Sequence, residues 1–149
     1  MPAVAPPTVD DATLILRLYE LRRDEKLRAA REWFRTKCVP ISVDEIKAIY
    51  ATPGEENTNF RMMTTYWDMA CSFVASGIIH PELFIQSAGE SLLVWSRLED
   101  FVPGVRREME MPFFLANVEK MIAVTPSAPD RLVAMRKRAA AMREKRAKG

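Results

Sequence analysis

Few side chains in this chain could support acid–base, nucleophilic or metal chemistry, and their spacing narrows what they can do. The single histidine, His80, stands in "IIHPELF". With no second histidine, and no acid three residues before it, neither H-x-x-x-H nor E-x-x-H ligand spacing can form. Directly before Pro81, His80 reads as a polar residue at a helix start rather than a proton-transfer group. The two cysteines, Cys38 and Cys71, are far apart and form no C-x-x-C pair, so reduced thiols are expected rather than a disulfide framework. Cys71 falls in the most apolar stretch, where a thiol behaves as a small hydrophobe, whereas Cys38 is expected to be the more accessible. Asp68 sits in that same stretch near Arg61 and Thr65. A buried charge needs a partner, so a structural hydrogen-bond network is expected there. The remaining acids occur as neighbours (Asp10-Asp11, Asp44-Glu45, Glu55-Glu56, Glu99-Asp100). Neighbours on a helix diverge by about 100° and do not share a site, which leaves them to solvent or to helix caps.

The five glycines, at 54, 77, 89, 104 and 149, are too dispersed for G-x-G-x-x-G or a P-loop. "SAGES" is not a G-x-S-x-G elbow. No catalytic residue, cofactor or metal is therefore expected. An enzymatic reading would require Asp68, His80 and Arg61 to converge on one pocket.

The elements that position these residues read as helical throughout. No run alternates with period two between turn dipeptides. Residues 1–9, with Pro2, Pro6 and Pro7, read as a flexible leader. A long first helix follows, capped around Val9-Asp10-Asp11, with Leu14, Ile15, Leu18 and Leu21 in helical register. After a charged turn the register resumes at Leu27, Ala30, Trp33 and Phe34. Pro40 ends it. Ser42 and Glu45 make an S-x-x-E capping pattern for a short helix to about Tyr50, and "ATPGEENTN" is a loop. Over about 59–76, Phe60, Met63, Trp67, Ala70 and Val74 form one apolar stripe, with Met62, Tyr66, Met69 and Phe73 beside it. A helix apolar over most of its circumference should be surrounded by others, and Gly77 suits its left-handed C-terminal cap. Pro81–Ser87 reads as a short helix. Glu90–Val102 is another, with Leu92, Leu93, Trp95, Leu98 and Phe101 as core, and Pro103-Gly104 is a turn. Val105–Val124 is helical but broken or kinked at Pro112, with Leu115, Val118 and Ile122 facing inward. Loop "TPSAP" precedes a basic last helix. The expectation is thus an all-α, compact bundle of five to seven helices, arranged as leader 1–9, bundle 10–124, and loop plus basic helix 125–149.

Charge separates along the chain. The formal net charge is +2, yet residues 130–149 carry eight Lys or Arg against two acids, and residues 1–129 carry a net excess of acids. In the tail, Leu132, Met135, Ala139 and Met142 are spaced three, four and three, an apolar seam of a/d type. Arg131, Arg136, Lys137, Arg138, Arg143, Lys145 and Arg146 cover most of the rest. This helix could pack on the acidic body with its charges solvated, pair with a second copy to make a homodimer, lie on an anionic membrane surface, or bind nucleic-acid phosphates. Nucleic acid is favoured by charge density, which gives a steep salt dependence, but the tail has no aromatic residue to stack on a base. Membrane contact would be weak and shallow without Trp or Phe. An amphipathic interaction helix is the preferred reading. Its contact residues would be Arg131, Leu132, Met135, Arg136, Lys137, Arg138, Met142, Arg143, Lys145 and Arg146, together with the charged face of the first helix. Nine methionines, among them Met109, Met111, Met135 and Met142, suit an adaptable surface or serve as core filler. No stretch approaches the roughly 18 apolar residues of a membrane span, and the N-terminus lacks the apolar run of a signal peptide. A cytoplasmic location is expected.

The stretches "LYELRRDEKLRAAREWF", "FVASGIIHPELF" and "SLLVWSRLEDFV", the last followed by an Arg-rich turn, resemble an uncharacterised family of small bacterial helical proteins, over about Leu14 to Ile122. The resemblance implies a long first helix followed by a compact bundle. Some members carry an N-terminal membrane anchor, where this chain shows a Pro-rich leader. It implies no active-site residue. The expected function is a non-enzymatic bacterial protein–protein interaction, scaffolding or regulatory domain acting on a protein partner or itself, with nucleic-acid association as the alternative.

Overall fold

A computed structural model describes residues 4–149. The first three residues of the expected leader, including Pro2, lie outside the described residues. Among the described residues there are nine α-helices, one 3-10 turn and no strand: α1 (Val9–Leu21), α2 (Glu25–Lys37), α3 (Val43–Ala51), α4 (Glu55–Ala75), α5 (Pro81–Ser87), α6 (Gly89–Leu98), the 3-10 turn Glu99–Phe101, α7 (Val102–Glu108), α8 (Ala116–Val124) and α9 (Ala128–Lys148). The all-helical class stands, but the number exceeds the expected five to seven. The long first helix is two helices. Arg22 to Asp24 leave helical register, and Asp24 Oδ1 accepts the amides of Lys26 (3.0 Å) and Leu27 (3.1 Å). That cap starts α2 afresh.

The start of α1 is set by Thr8, not by Val9 or the two aspartates as caps. Thr8 Oγ1 accepts the Asp11 amide, and Asp11 Oδ2 accepts the Thr8 amide at 2.7 Å. This is a complete capping box, with Asp in the reciprocal place. Ser42 caps α3 as its S-x-x-E pattern foretold, accepting the Glu45 amide at 3.2 Å. Glu45 does not return to Ser42, and its carboxylate instead accepts the Ile41 amide.

Helix α4 runs among α2, α3, α6 and α8. Its first stripe is core: Phe60, Met63, Trp67, Ala70 and Val74 are all buried. The second stripe is less enclosed than expected. Tyr66 is buried, Met62 and Phe73 are partly covered, and Met69 is exposed. Gly77 takes φ +78° after the last turn, the left-handed conformation a glycine adopts without strain. Helix α6 is at least as enclosed as α4, since every residue from Ser91 to Leu98 except Leu93 is buried. It lies between α4 and α8 on one side and α9 on the other.

Pro103-Gly104 is not a turn. Pro103 occupies the first turn of α7, where its missing N–H costs nothing. Gly104 lets α7 approach α3, because a Cβ placed on it would stand 2.5 Å from Val43 Cγ2. Pro112 does break the helix, but the break spans Met109 to Leu115. It contains two non-glycine residues at positive φ, Glu110 and Leu115, both at 53°. Helix α9 begins at Ala128, so Pro129 lies inside its first turn and not in a loop.

Gly104→Ala is expected to lower unfolding free energy by about 1–3 kcal/mol, since the branched Val43 side chain cannot yield without displacing a helix. Denaturant titration of both proteins measures it; an unchanged midpoint would mean that α3 and α7 do not approach this closely.

Candidate interaction surfaces

Of the residues that could have made a catalytic site, Asp68 and His80 serve as helix caps. Asp68 Oδ1 accepts the amides of Asn117 (3.0 Å) and Val118 (3.2 Å), and Oδ2 accepts from Asn117 Nδ2 (3.0 Å). The network expected around Asp68 is therefore present with other partners: it closes the N-terminus of α8. Arg61 lies at the surface, donating to Asn57 Oδ1 and covering the Tyr50 ring at 4.6 Å. His80 caps α5, its Nδ1 accepting the Leu83 amide at 3.2 Å, while its own amide donates to Asp11 Oδ1. Asp68, His80 and Arg61 do not converge. The amides of Thr8 and His80 hold the Asp11 carboxyl below the usual carboxylate range. Both cysteines are buried, which corrects the expectation for Cys38. Burial pushes the Cys38 thiol up to about 12 and the Cys71 thiol higher still.

Helix α9 shows two faces. Leu132 and Ala139 are buried, and Met135 and Met142 are partly covered, so the apolar seam lies against α6 and α8. Arg136 forms a two-pronged bridge to Glu99 at 2.8 and 2.9 Å, Arg143 reaches Asp100 at 3.3 Å, and Arg146 grips Glu45 and the Val39 carbonyl. The acidic neighbours Glu99 and Asp100 thus receive the tail. At its other end, Glu82 accepts the Ser127 amide (2.8 Å) and hydroxyl (2.6 Å). The remaining cations point elsewhere. Arg131 donates to Ser127 Oγ, and among the described residues Lys137, Arg138 and Lys145 have no carboxylate within 4 Å.

A second surface was not singled out from the sequence. The loop between α7 and α8 buries Phe114 and Leu115 but holds Phe113 out, 80% exposed. Beside it opens an apolar groove of about 480 Å³, lined among others by Tyr50, Thr65, Met69, Met111 and Pro112. Phe114 beneath it stacks on Phe60, and Arg106 donates to the Phe114 carbonyl at 3.0 Å. The doublet Phe113-Phe114 after Pro112 was the available signal. Two successive aromatic residues outside a helix seldom face the same way, so one of them must find another partner.

The chain belongs to the DUF4760 family, a domain of unknown function, which it matches over residues 7–124. The match therefore ends before α9. No curated protein and no solved structure matches the chain. No helix among the described residues is long and apolar enough to cross a membrane.

Docking of α9 should be acid-labile. The Arg146 guanidinium lowers the Glu45 carboxyl pKa, and the Ser127 hydroxyl and amide lower that of Glu82, both from an ordinary 4.5. A carboxylate whose pKa falls on folding stabilises the fold above its unfolded pKa and loses that contribution as pH falls through the folded one. Stability should therefore decline as pH drops below about 4.5, and the decline should be shallower in Glu45→Gln/Glu82→Gln. Denaturant titrations of both proteins at pH 6 and at pH 3.5 measure this; parallel losses would remove these two carboxylates from the account.

Proposed function

We propose that this is a non-enzymatic interaction domain whose principal contact is the Phe113 groove, and that its partner is a protein presenting an apolar helix or aromatic anchor. The observation that carries the reading is Phe113 itself. A large aromatic side chain is held in solvent beside an apolar groove by a loop with two residues in left-handed geometry. Such geometry costs of order 1–3 kcal/mol for each residue and persists only where the surroundings enforce it. Interface anchors are of this type: aromatic, central, and flanked by methionines that adapt to the partner's shape. Met69 and Met111 fill the flanking role here. The outward cations Arg131, Lys137, Arg138 and Lys145 of α9 are a second contact in the same reading, suited to an acidic segment of the partner. Leu132, Met135, Arg136, Met142, Arg143 and Arg146 serve mainly to hold that helix.

The test is photo-crosslinking in the cells that make the protein, with a benzophenone amino acid in place of Phe113 or, separately, of Lys120, which is exposed on α8. A discrete protein adduct from position 113 that is absent from position 120 is the expected result. The substitution Met69→Asp should abolish that adduct without unfolding the chain, because Met69 is already exposed. Adducts of equal yield at both positions, or none at 113, would overturn the reading.

Nucleic-acid association remains the second reading, and it rests on the unpaired Lys137, Arg138 and Lys145. If it holds, duplex or single-strand affinity falls steeply with added salt, with a slope on a log–log plot of about −0.9 per phosphate neutralised on B-DNA and about −0.7 on single strands. Replacing the three residues with alanine then flattens that slope. Binding that is independent of salt removes it.

A further inference from the structure

We infer that the elbow between α1 and α2 is an anion site built to take a phosphate group. Four arginines, Arg22, Arg23, Arg28 and Arg31, line a recess of about 370 Å³ there together with Tyr19. Among the described residues, one carboxylate lies within 4 Å of any of the four. Glu90 takes Arg31 at 2.7 Å through Nε and 3.2 Å through Nη2. Glu90 is itself fixed by the Trp67 indole N–H at 3.1 Å. The nearest acid in the chain, Asp24, is occupied with the Lys26 and Leu27 amides. Arg22, Arg23 and Arg28 therefore line the recess with no carboxylate within 4 Å among the described residues.

Arg22 is the unusual member. It is 8% exposed and has no carboxylate partner. Its Nη1 donates to the Ser87 carbonyl at 3.0 Å, its guanidinium lies over Tyr19 (4.8 Å) and Trp67 (5.1 Å), and its Nε is buried without an acceptor. Burying an uncompensated charge is costly. The other buried arginine, Arg97, also leaves its Nε without an acceptor, but it donates its terminal nitrogens to three carbonyls, those of Phe34, Arg35 and Cys38 at the end of α2. Arg22 has one such carbonyl, the Tyr66 hydroxyl nearby, and a recess. Arg23 also covers the Tyr19 ring, at 5.7 Å, and both Arg23 and Arg28 are exposed and free to close on a ligand.

The chemistry selects the ligand. A carboxylate carries one charge, whereas a phosphate monoester carries about −1.5 to −2 near pH 7 and offers three acceptor oxygens. Guanidinium forks match those oxygens in pairs. Cations on several sides of one compact recess suit a terminal phosphate; a polynucleotide backbone would call for a linear array. The site lies on other helices than the Phe113 groove and does not depend on it.

The test is calorimetric titration of the full chain with inorganic pyrophosphate at low ionic strength, alongside co-sedimentation with phosphatidylcholine vesicles containing phosphatidic acid. Saturable one-to-one binding of pyrophosphate is expected, and it should weaken by about tenfold or more in Arg23→Ala/Arg28→Ala. Both residues are exposed, so the fold should survive their removal. The control pair Lys37→Ala/Lys120→Ala removes the same charge from the far end of α2 and from α8, at exposed positions, and should change affinity less than twofold. Pyrophosphate binding without vesicle binding assigns a soluble phosphate ester. Vesicle binding abolished by the elbow pair assigns a lipid headgroup. No saturation by either probe up to about 10 mM phosphate groups, or equal losses in the two pairs, overturns the proposal.

Discussion

A fold of nine short helices has many helix ends, and each end leaves backbone groups that no intrahelical bond can satisfy. The constraint on this protein is that several of those ends are partly covered by neighbouring helices, where water serves them poorly. Side chains from other helices fill the need. Asp11 of α1 serves α5, Asp68 of α4 serves α8, and Glu82 of α5 serves the start of α9. On the carbonyl side, Arg97 of α6 closes α2, Asn57 of α4 closes α3 through the Ile49 and Tyr50 carbonyls, and Arg22 reaches the last residue of α5. Acids go to N-termini and cations or amide donors to C-termini, as the helix dipole requires. The charged side chains with the most promising positions for catalysis are those used in this way, which is why they are scattered rather than gathered.

The same constraint explains how α9 fits. Its seam of Leu132, Met135 and Ala139 covers one side of α6, whose other sides face α4 and α8. Without that cover α6 would lose part of its enclosure. The arginines that reach Glu99, Asp100 and Glu45 then fix its register along the body. Exposed pairs of this kind contribute little individually, so apolar contact supplies most of the adhesion and the ion pairs supply direction. The separation of charge along the sequence is therefore cancelled in part, through Arg136, Arg143 and Arg146, leaving Arg131, Lys137, Arg138 and Lys145 on the outward basic face.

Local signals in the sequence were sufficient where structure was decided locally. Ser42, Gly77 and the His80-Pro81 pair marked helix ends because caps of that type act within four residues. The stripe from Phe60 to Val74 marked the core because period alone sets which face is apolar. The count of helices, the depth of α6 and the roles of Asp68 and Arg97 were not legible in this way, because each depends on a partner tens of residues away. Pro103-Gly104 misled for the same reason: the dipeptide has the composition of a turn, and only the nearness of Val43 gives Gly104 its purpose. Of the candidate surfaces, the basic tail was visible as a run of charge, though not which of its charges the body would neutralise. The charged face of the first helix was legible as a contact surface, but not the recess its arginines form, and the Phe113-Phe114 doublet was a signal that went unread. In the sequence, "EMPFFL" reads as a broken helix and "LRRDEKLRAAR" as a solvated face.

The central claim is that side chains of other helices close the helix ends, and native-state hydrogen exchange tests it amide by amide. The amides of His80, Asn117, Val118 and Ser127, which donate to Asp11, Asp68 and Glu82, should exchange slowly, near the rates of the helix interiors they adjoin. The first-turn amides of Glu55, Glu56 and Asn57 in α4, where Gly54 provides no side-chain cap, should exchange orders of magnitude faster. Similar fast exchange in both sets would contradict the account, because it would mean that these ends are open to water and that the carboxylates only lie nearby.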